Sequence, residues 1–118
     1  FAAKPALGEI VNLPFSKDNI DNWIYVEDCA EQLVRLALKD KLNFSCFNTG
    51  AETLDGYKLE ATVKKFIPDA QINFLDKKTH TPLIDDQDDS RIRKEIDFNP
   101  RSFEEGVKCL IQDVRESN

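Results

Sequence analysis

The chain has 118 residues, of which 41% are hydrophobic and 32% charged, with a formal net charge of -6. A chain of this length makes one small domain that buries roughly two thirds of its unfolded surface, and the composition excludes a disordered protein. The acidic balance argues against a nucleic-acid partner, which needs a basic face to displace counterions from phosphate, and no apolar run approaches the ~20 residues that span a bilayer.

In chain order, Glu9-Ile10-Val11-Asn12-Leu13 predicts a short strand stopped by Pro14, which has no N–H to donate to a ladder. Trp23-Ile24-Tyr25-Val26 predicts a second strand, and Asp28 a helix cap behind it. Ala30, Leu33, Val34, Ala37 and Leu38 recur at helical spacing and form one apolar face. Cys46-Phe47-Asn48-Thr49 reads as a strand that turns at Gly50. Leu59, Val63, Phe66 and Ile67 line a second amphipathic helix, ended by Pro68. Gln71 to Leu75 alternates like a half-buried strand, and a polar loop runs from Asp76 to Asp89. Ser90 is expected to cap a short helix through Ile96. Ser102 and Glu105 have the spacing of a capping box, ahead of a stripe of Phe103, Val107, Leu110, Ile111 and Val114. The order β, β, α, β, α, β, α, α predicts an α/β fold of short strands alternating with amphipathic helices.

Independent catalytic machinery is absent from the sequence. It has no glycine-rich dinucleotide or P-loop motif. Tyr25 and Tyr57 are followed four positions later by Cys29 and Ala61, so neither forms the Tyr-x-x-x-Lys pair that lowers a phenol's pKa. His80 stands alone in a polar loop, without the positioned partner a general base requires. Asp85, Asp86, Asp88 and Asp89 lack the glycine and closing glutamate of a calcium loop, and read as a solvated run favouring a helix N-terminus. Cys29, Cys46 and Cys109 form no CxxC pair; with one histidine they make no zinc set and read as reduced thiols of a cytoplasmic protein.

Four segments, in this order, resemble the C-terminal third of the extended short-chain dehydrogenase/reductases, the NAD(P)-dependent sugar-nucleotide epimerases and dehydratases. Asp21 to Ala30 resembles that family's Arg-Asp-aromatic-aliphatic-His/Tyr-Val-acidic-Asp-x-Ala element, closely so from Trp23 through Asp28. Phe47-Asn48-Thr49-Gly50 resembles its aromatic-Asn-x-Gly strand and turn. Asp88-Asp89-Ser90-Arg91 with Lys94 to Pro100 resembles Asp-x-Ser-basic followed by Glu-Leu-Gly-aromatic-x-Pro. Ser102 to Val107 resembles the Ser-Leu-Glu-Glu-Gly start of the last helix. The match runs from about Glu9 to the C-terminus.

The resemblance implies a Rossmann-type parent in which residues 1–118 are the substrate-binding region. The dinucleotide-binding domain and catalytic Tyr-x-x-x-Lys pair would then lie upstream. The absence of methionine, with Phe1 at position 1, agrees with a processed chain or fragment. Such a parent is a UDP-glucose 4-epimerase-like isomerase using NAD or NADP on a nucleotide sugar; the portion here would bind no cofactor and be inactive alone. The implied substrate-binding residues are Leu13, Pro14 and Phe15 at the base pocket, Trp23 beside the diphosphate, and Lys78 as a phosphate point charge. Asp21 replaces the diphosphate-clamping arginine, which points to an alternative: a reductase of the same superfamily with a non-nucleotide substrate. A nucleotide-sensing binding protein that keeps the fold without catalysis is the third reading. No nucleic acid or membrane partner is expected. A homo-oligomer is, because the strand Glu9–Leu13 presents an open edge.

Overall fold

The computed structural model describes residues 1–50, 52–78 and 87–118. After one helical turn, α1 (Ala3–Ala6), strand β1 runs Val11–Ser16, displaced toward the C-terminus from the expected Glu9–Leu13. It pairs in parallel with β4 (Ile72–Leu75), Val11 facing Ile72 and Asn12 facing Asn73, before the register shifts ahead of Ser16 opposite Leu75. Pro14 lies within that shift and does not end the strand. Its missing N–H is tolerated where the ladder is interrupted.

Strand β2 (Ile20–Trp23) pairs antiparallel with β3 (Glu52–Asp55), Trp23 facing Glu52 and Ile20 facing Asp55. The strand expected at Trp23–Val26 therefore stops where it was thought to begin. Val26 already opens helix α2 (Val26–Ala37), with extended Tyr25 at its N-cap and Glu27 and Asp28 in the first turn, where acidic groups complement the helix dipole. Asp28 caps no part of its own helix. Its buried carboxylate reaches across the fold and accepts from the Arg101 backbone N–H at 2.8 Å and from Arg101 Nε at 3.1 Å. Residues 39–50 form no helix or strand, so the expected strand Cys46–Thr49 is absent as a strand.

Helix α3 (Gly56–Phe66) is capped by the Asp55 side chain, which accepts from the Lys58 N–H at 2.9 Å, and it buries Leu59 and Val63 as its periodicity requires. Helix α4 (Ser90–Ile96) opens after Asp89, so Ser90 is its first residue and not its cap; the Asp88 carboxylate accepts from the Ser90 N–H instead. Its C-cap Asp97 has φ 46, the left-handed conformation that favours glycine, at the position where the resembled motif carries glycine. Helix α5 (Phe103–Glu116) carries both halves of the Ser102/Glu105 capping box. One core joins these elements: Val11 and Leu13 from β1, Ile72 from β4, Leu54 from β3, Leu59 and Val63 from α3, and Phe103, Val107 and Ile111 from α5.

Helix α2 packs on α4 with its polar side inward. Gln32 is fully buried there, and neither atom of its amide has a hydrogen-bond partner among the described residues. An unpaired buried amide costs about 1–2 kcal/mol relative to an apolar side chain of the same shape. Gln32→Leu is expected to raise stability by about that amount, read as a higher urea midpoint with an unchanged slope. An unchanged or lowered midpoint would contradict the orphaned amide.

Candidate functional site

In a parallel pair the strand carboxyl ends open onto loops, and that is where α/β proteins bind ligands. The carboxyl ends of β1 and β4 border a cavity of about 460 Å³ lined by Ser16, Lys17, Asp18, Tyr57, Phe74 and Asp76. Its floor is the tight turn after β1. The Asn19 side chain accepts from the Ser16 N–H at 3.0 Å, the Ser16 hydroxyl accepts from the Asp18 N–H at 3.0 Å, and the Asn19 N–H donates to the Ser16 carbonyl at 3.1 Å. The turn is pinned to α3 because the Gly56 N–H donates to the Lys17 carbonyl at 3.0 Å. A Cβ on Gly56 would stand 2.6 Å from Lys17 Cα, so only glycine permits this approach. Lys17 is held in an ion pair with Glu60, its ammonium 5.6 Å from the Tyr57 ring centroid and 5.3 Å from that of Phe74. Hydrogen bonds from Lys17 and then Lys64 hold the Glu60 carboxyl below the usual carboxylate range. A committed cation between two aromatic faces suits recognition of a planar or anionic group; it offers no base or nucleophile.

A second cavity of about 280 Å³ lies between β2 and α5, where Trp23, Phe103 and Phe1 form an aromatic cluster with centroids 5.0 to 5.9 Å apart. Its walls are apolar apart from Arg101, Ser102 and Tyr25. Arg101 lies 4.5 Å over the Tyr25 ring, and donates to Asp28 and, at 3.4 Å, to Cys109 Sγ. Gly106 lets α5 approach this ring, since a Cβ there would come within 3.2 Å of Tyr25 Cβ. The Tyr25 hydroxyl donates to Asp113 at 2.8 Å. Burial, with the Asp113 carboxylate, raises this phenol from 10.0 to about 12. A catalytic tyrosine in proton transfer needs the opposite shift. Because the folded-state pKa is the higher one, the stabilisation it reports is full below about pH 10 and is lost as pH rises toward 12. Tyr25→Phe is expected to abolish that alkaline component in urea melts across this range; a wild-type alkaline slope in the variant would contradict it.

Among the described residues no three His, Cys, Asp or Glu side chains converge as metal ligands, and no helix is long and apolar enough to cross a membrane.

No protein-family model matches the sequence, and no curated protein matches it. Solved structures do. A UDP-glucuronic acid 4-epimerase from Bacillus cereus, in complex with UDP-glucuronic acid and NAD, superposes on 99% of the chain with a TM-score of 0.76 at 18% identity. The fold is that of an extended short-chain dehydrogenase/reductase. A UDP-glucose 4-epimerase with UDP-glucose from Thermotoga maritima covers 98% of the chain, with TM-score 0.71 and 17% identity. A GalE-like L-threonine dehydrogenase from Cupriavidus necator covers 93%, with TM-score 0.78 and 18% identity. The chain spans only 39% of the Bacillus enzyme and 38% of each of the other two.

Within the extended short-chain dehydrogenase/reductase fold the expected substrate residues are dispersed. Leu13 is buried in the core, Pro14 is exposed on β1, and Phe15 packs against Phe74 with centroids 6.1 Å apart. Trp23 stands in the aromatic cluster and lines the 280 Å³ cavity, and Lys78 is exposed three residues beyond β4. Asp21 sits on β2 opposite Leu54. His80, Asp85 and Asp86 lie outside the described residues. Sequence reasoning missed Lys17, Tyr57 and Arg101. The signal for Lys17 was the Ser16–Asn19 turn after β1; Arg101 had none, because its partner Asp28 is 73 positions away. Gly56 and Gly106 are closed by Lys17 and Tyr25, so neither offers a pyrophosphate the open backbone of a glycine cradle.

Proposed function

We propose that the chain is the substrate-side region of an NAD(P)-dependent extended short-chain dehydrogenase/reductase acting on a nucleotide sugar, its dinucleotide domain lying in a longer parent. The observation that carries this reading is the superposition of nearly the whole chain on an epimerase that binds UDP-glucuronic acid and NAD. The cavity at the carboxyl ends of β1 and β4 supports it, with Tyr57 and Phe74 as ring surfaces and Lys17 as the cation in its lining. In this reading the chain's work is positioning, which converts an encounter into a fixed geometry, and no proton or hydride step falls to its residues.

Asp21 favours a second reading, a dehydrogenase whose substrate has no diphosphate, and the likeness to L-threonine dehydrogenase supports it. A carboxylate at the clamp position repels a diphosphate that an arginine would grip with a bidentate pair. Asp21→Arg separates the two. Titrating UDP against the fluorescence of Trp23, the one tryptophan, is expected to show at least tenfold tighter binding in the variant, since a charge-assisted hydrogen bond contributes about 1.5–3 kcal/mol. If Asp21→Arg leaves UDP binding absent, Asp21 is not at a diphosphate site and the dehydrogenase reading takes over.

A further inference from the structure

Beyond α2 the chain runs through a segment that no regular structure holds. Residues 39–45 form no helix or strand, and among the described residues none of 40–45 makes a main-chain to main-chain hydrogen bond. Apolar burial does not fix it either, since Leu42 is 39% exposed and Phe44 47%. A segment lacking both supports belongs to the part of a fold that opens first.

Side chains of α4 fasten it instead. The Glu95 carboxylate is almost inaccessible, and it accepts from the Asn43 N–H and from Asn43 Nδ2, each at 3.1 Å. The Lys39 ammonium lies 3.6 Å from the same carboxylate and donates to the Glu95 carbonyl, at the end of α4 where a cation complements the helix dipole. One turn earlier, Arg91 lies 4.1 Å over the Phe44 ring and donates to the Cys46 carbonyl at 3.3 Å.

The helix under this segment stands apart from the main core. Ile92 and Ile96 of α4 are buried, yet neither belongs to the cluster that joins β1, β3, β4, α3 and α5. Helix α2 packs on α4 with the orphaned Gln32 amide buried between them. A satellite cluster of this kind opens at a lower free energy than the core.

We propose that residues 39–45 are a strap closed on α4, that Glu95 is its latch, and that acid releases the strap while the rest of the chain stays folded. Hydrogen bonds from the Asn43 backbone and then its side chain hold the Glu95 carboxyl below its ordinary 4.5. The charged groups around it are Lys39 and, across a cavity of about 420 Å³, Arg35 and Asp97; Asp40 and Lys41 of the strap face solvent. Because the folded-state value is the lower one, the latch is closed above pH 4.5 and fails as pH falls through that value. Protonation turns one acceptor oxygen into a donor that faces the Asn43 donors and the Lys39 ammonium. The device does not depend on which substrate the chain serves.

Backbone relaxation and hydrogen exchange, measured by nuclear magnetic resonance on the full 118-residue chain, read the strap directly. Order parameters of about 0.85 are expected for residues 40–45 at neutral pH, falling below about 0.6 in acid. The Asn43 amide is expected to lose at least tenfold in protection factor by about pH 3.5, with the resonances of α5 still in place. Glu95→Gln cannot accept from all three donors, so its strap is expected to be loose at neutral pH and indifferent to acid. A rigid strap in Glu95→Gln overturns the proposal, as does a wild-type strap that loosens only together with α5. Should Glu95→Gln fail to fold, Asn43→Ala carries the test, because it removes one donor from an exposed residue. Its strap is expected to open at a higher pH than the wild type's, and an unchanged opening overturns the latch.

Discussion

Replacing Asp28 with alanine is expected to destabilise the chain by about 2–3 kcal/mol, somewhat below the ~3–5 kcal/mol for breaking a fully buried ion pair. The carboxylate is nearly inaccessible and makes two contacts to one residue, the backbone N–H and the Nε of Arg101. Its removal leaves a backbone donor and a guanidinium facing a void at the entry to α5. The discount from the full range comes from Arg101, which is 31% exposed and keeps a weaker contact to Glu27 at 3.5 Å. Asp28→Asn retains an acceptor for the backbone N–H and should lose about half as much. Urea denaturation of the three proteins checks the order. Equal stability of Asp28→Ala and wild type would mean that the tie between α2 and α5 contributes nothing.

Gly56→Ala is expected to cost about 1–2 kcal/mol net, although alanine is the better helix former. Two effects oppose each other. Alanine gains up to about 1 kcal/mol in helix propensity. Against it, the added Cβ stands 2.6 Å from the Lys17 Cα and 3.0 Å from Phe74, and the nearer atom is backbone that cannot rotate away. Overpacking of this kind costs about 1–3 kcal/mol and moves main chain. The strain falls on the Ser16–Asn19 turn, so the variant should also shift the amide resonances of Lys17 and Asp18 while leaving those of α5 in place. A more stable variant with unmoved resonances would show that the turn does not press on α3.

Local signals carried much of the fold. The Ser102/Glu105 spacing gave the start of α5 to the residue, and the stripes of α3 and α5 found the core because both faces are covered within the chain. Strand β3 was invisible, since Glu52-Thr53-Leu54-Asp55 offers one apolar residue among polar ones and is held by pairing with β2. The α2 stripe was legible as a periodicity, but periodicity says that a face is apolar and not what covers it. The same limit undid the strand at Cys46–Thr49, whose propensity needs a partner to become structure. Of the expected substrate residues, Leu13 was read from motif position and lies in the core, whereas Lys17 reaches the cavity through a turn pinned to Gly56, far away in sequence.

The measurement that bears most directly on the central claim is turnover by the longest polypeptide the gene encodes, beside the 118-residue chain. NAD or NADP would be supplied with UDP-glucose, UDP-glucuronic acid or L-threonine, and products separated by chromatography. Cofactor-dependent conversion of a UDP-sugar is expected from the long form and none from the short one. Conversion of L-threonine alone would select the second reading, and turnover by the short chain would contradict the assignment of this region as a positioning scaffold.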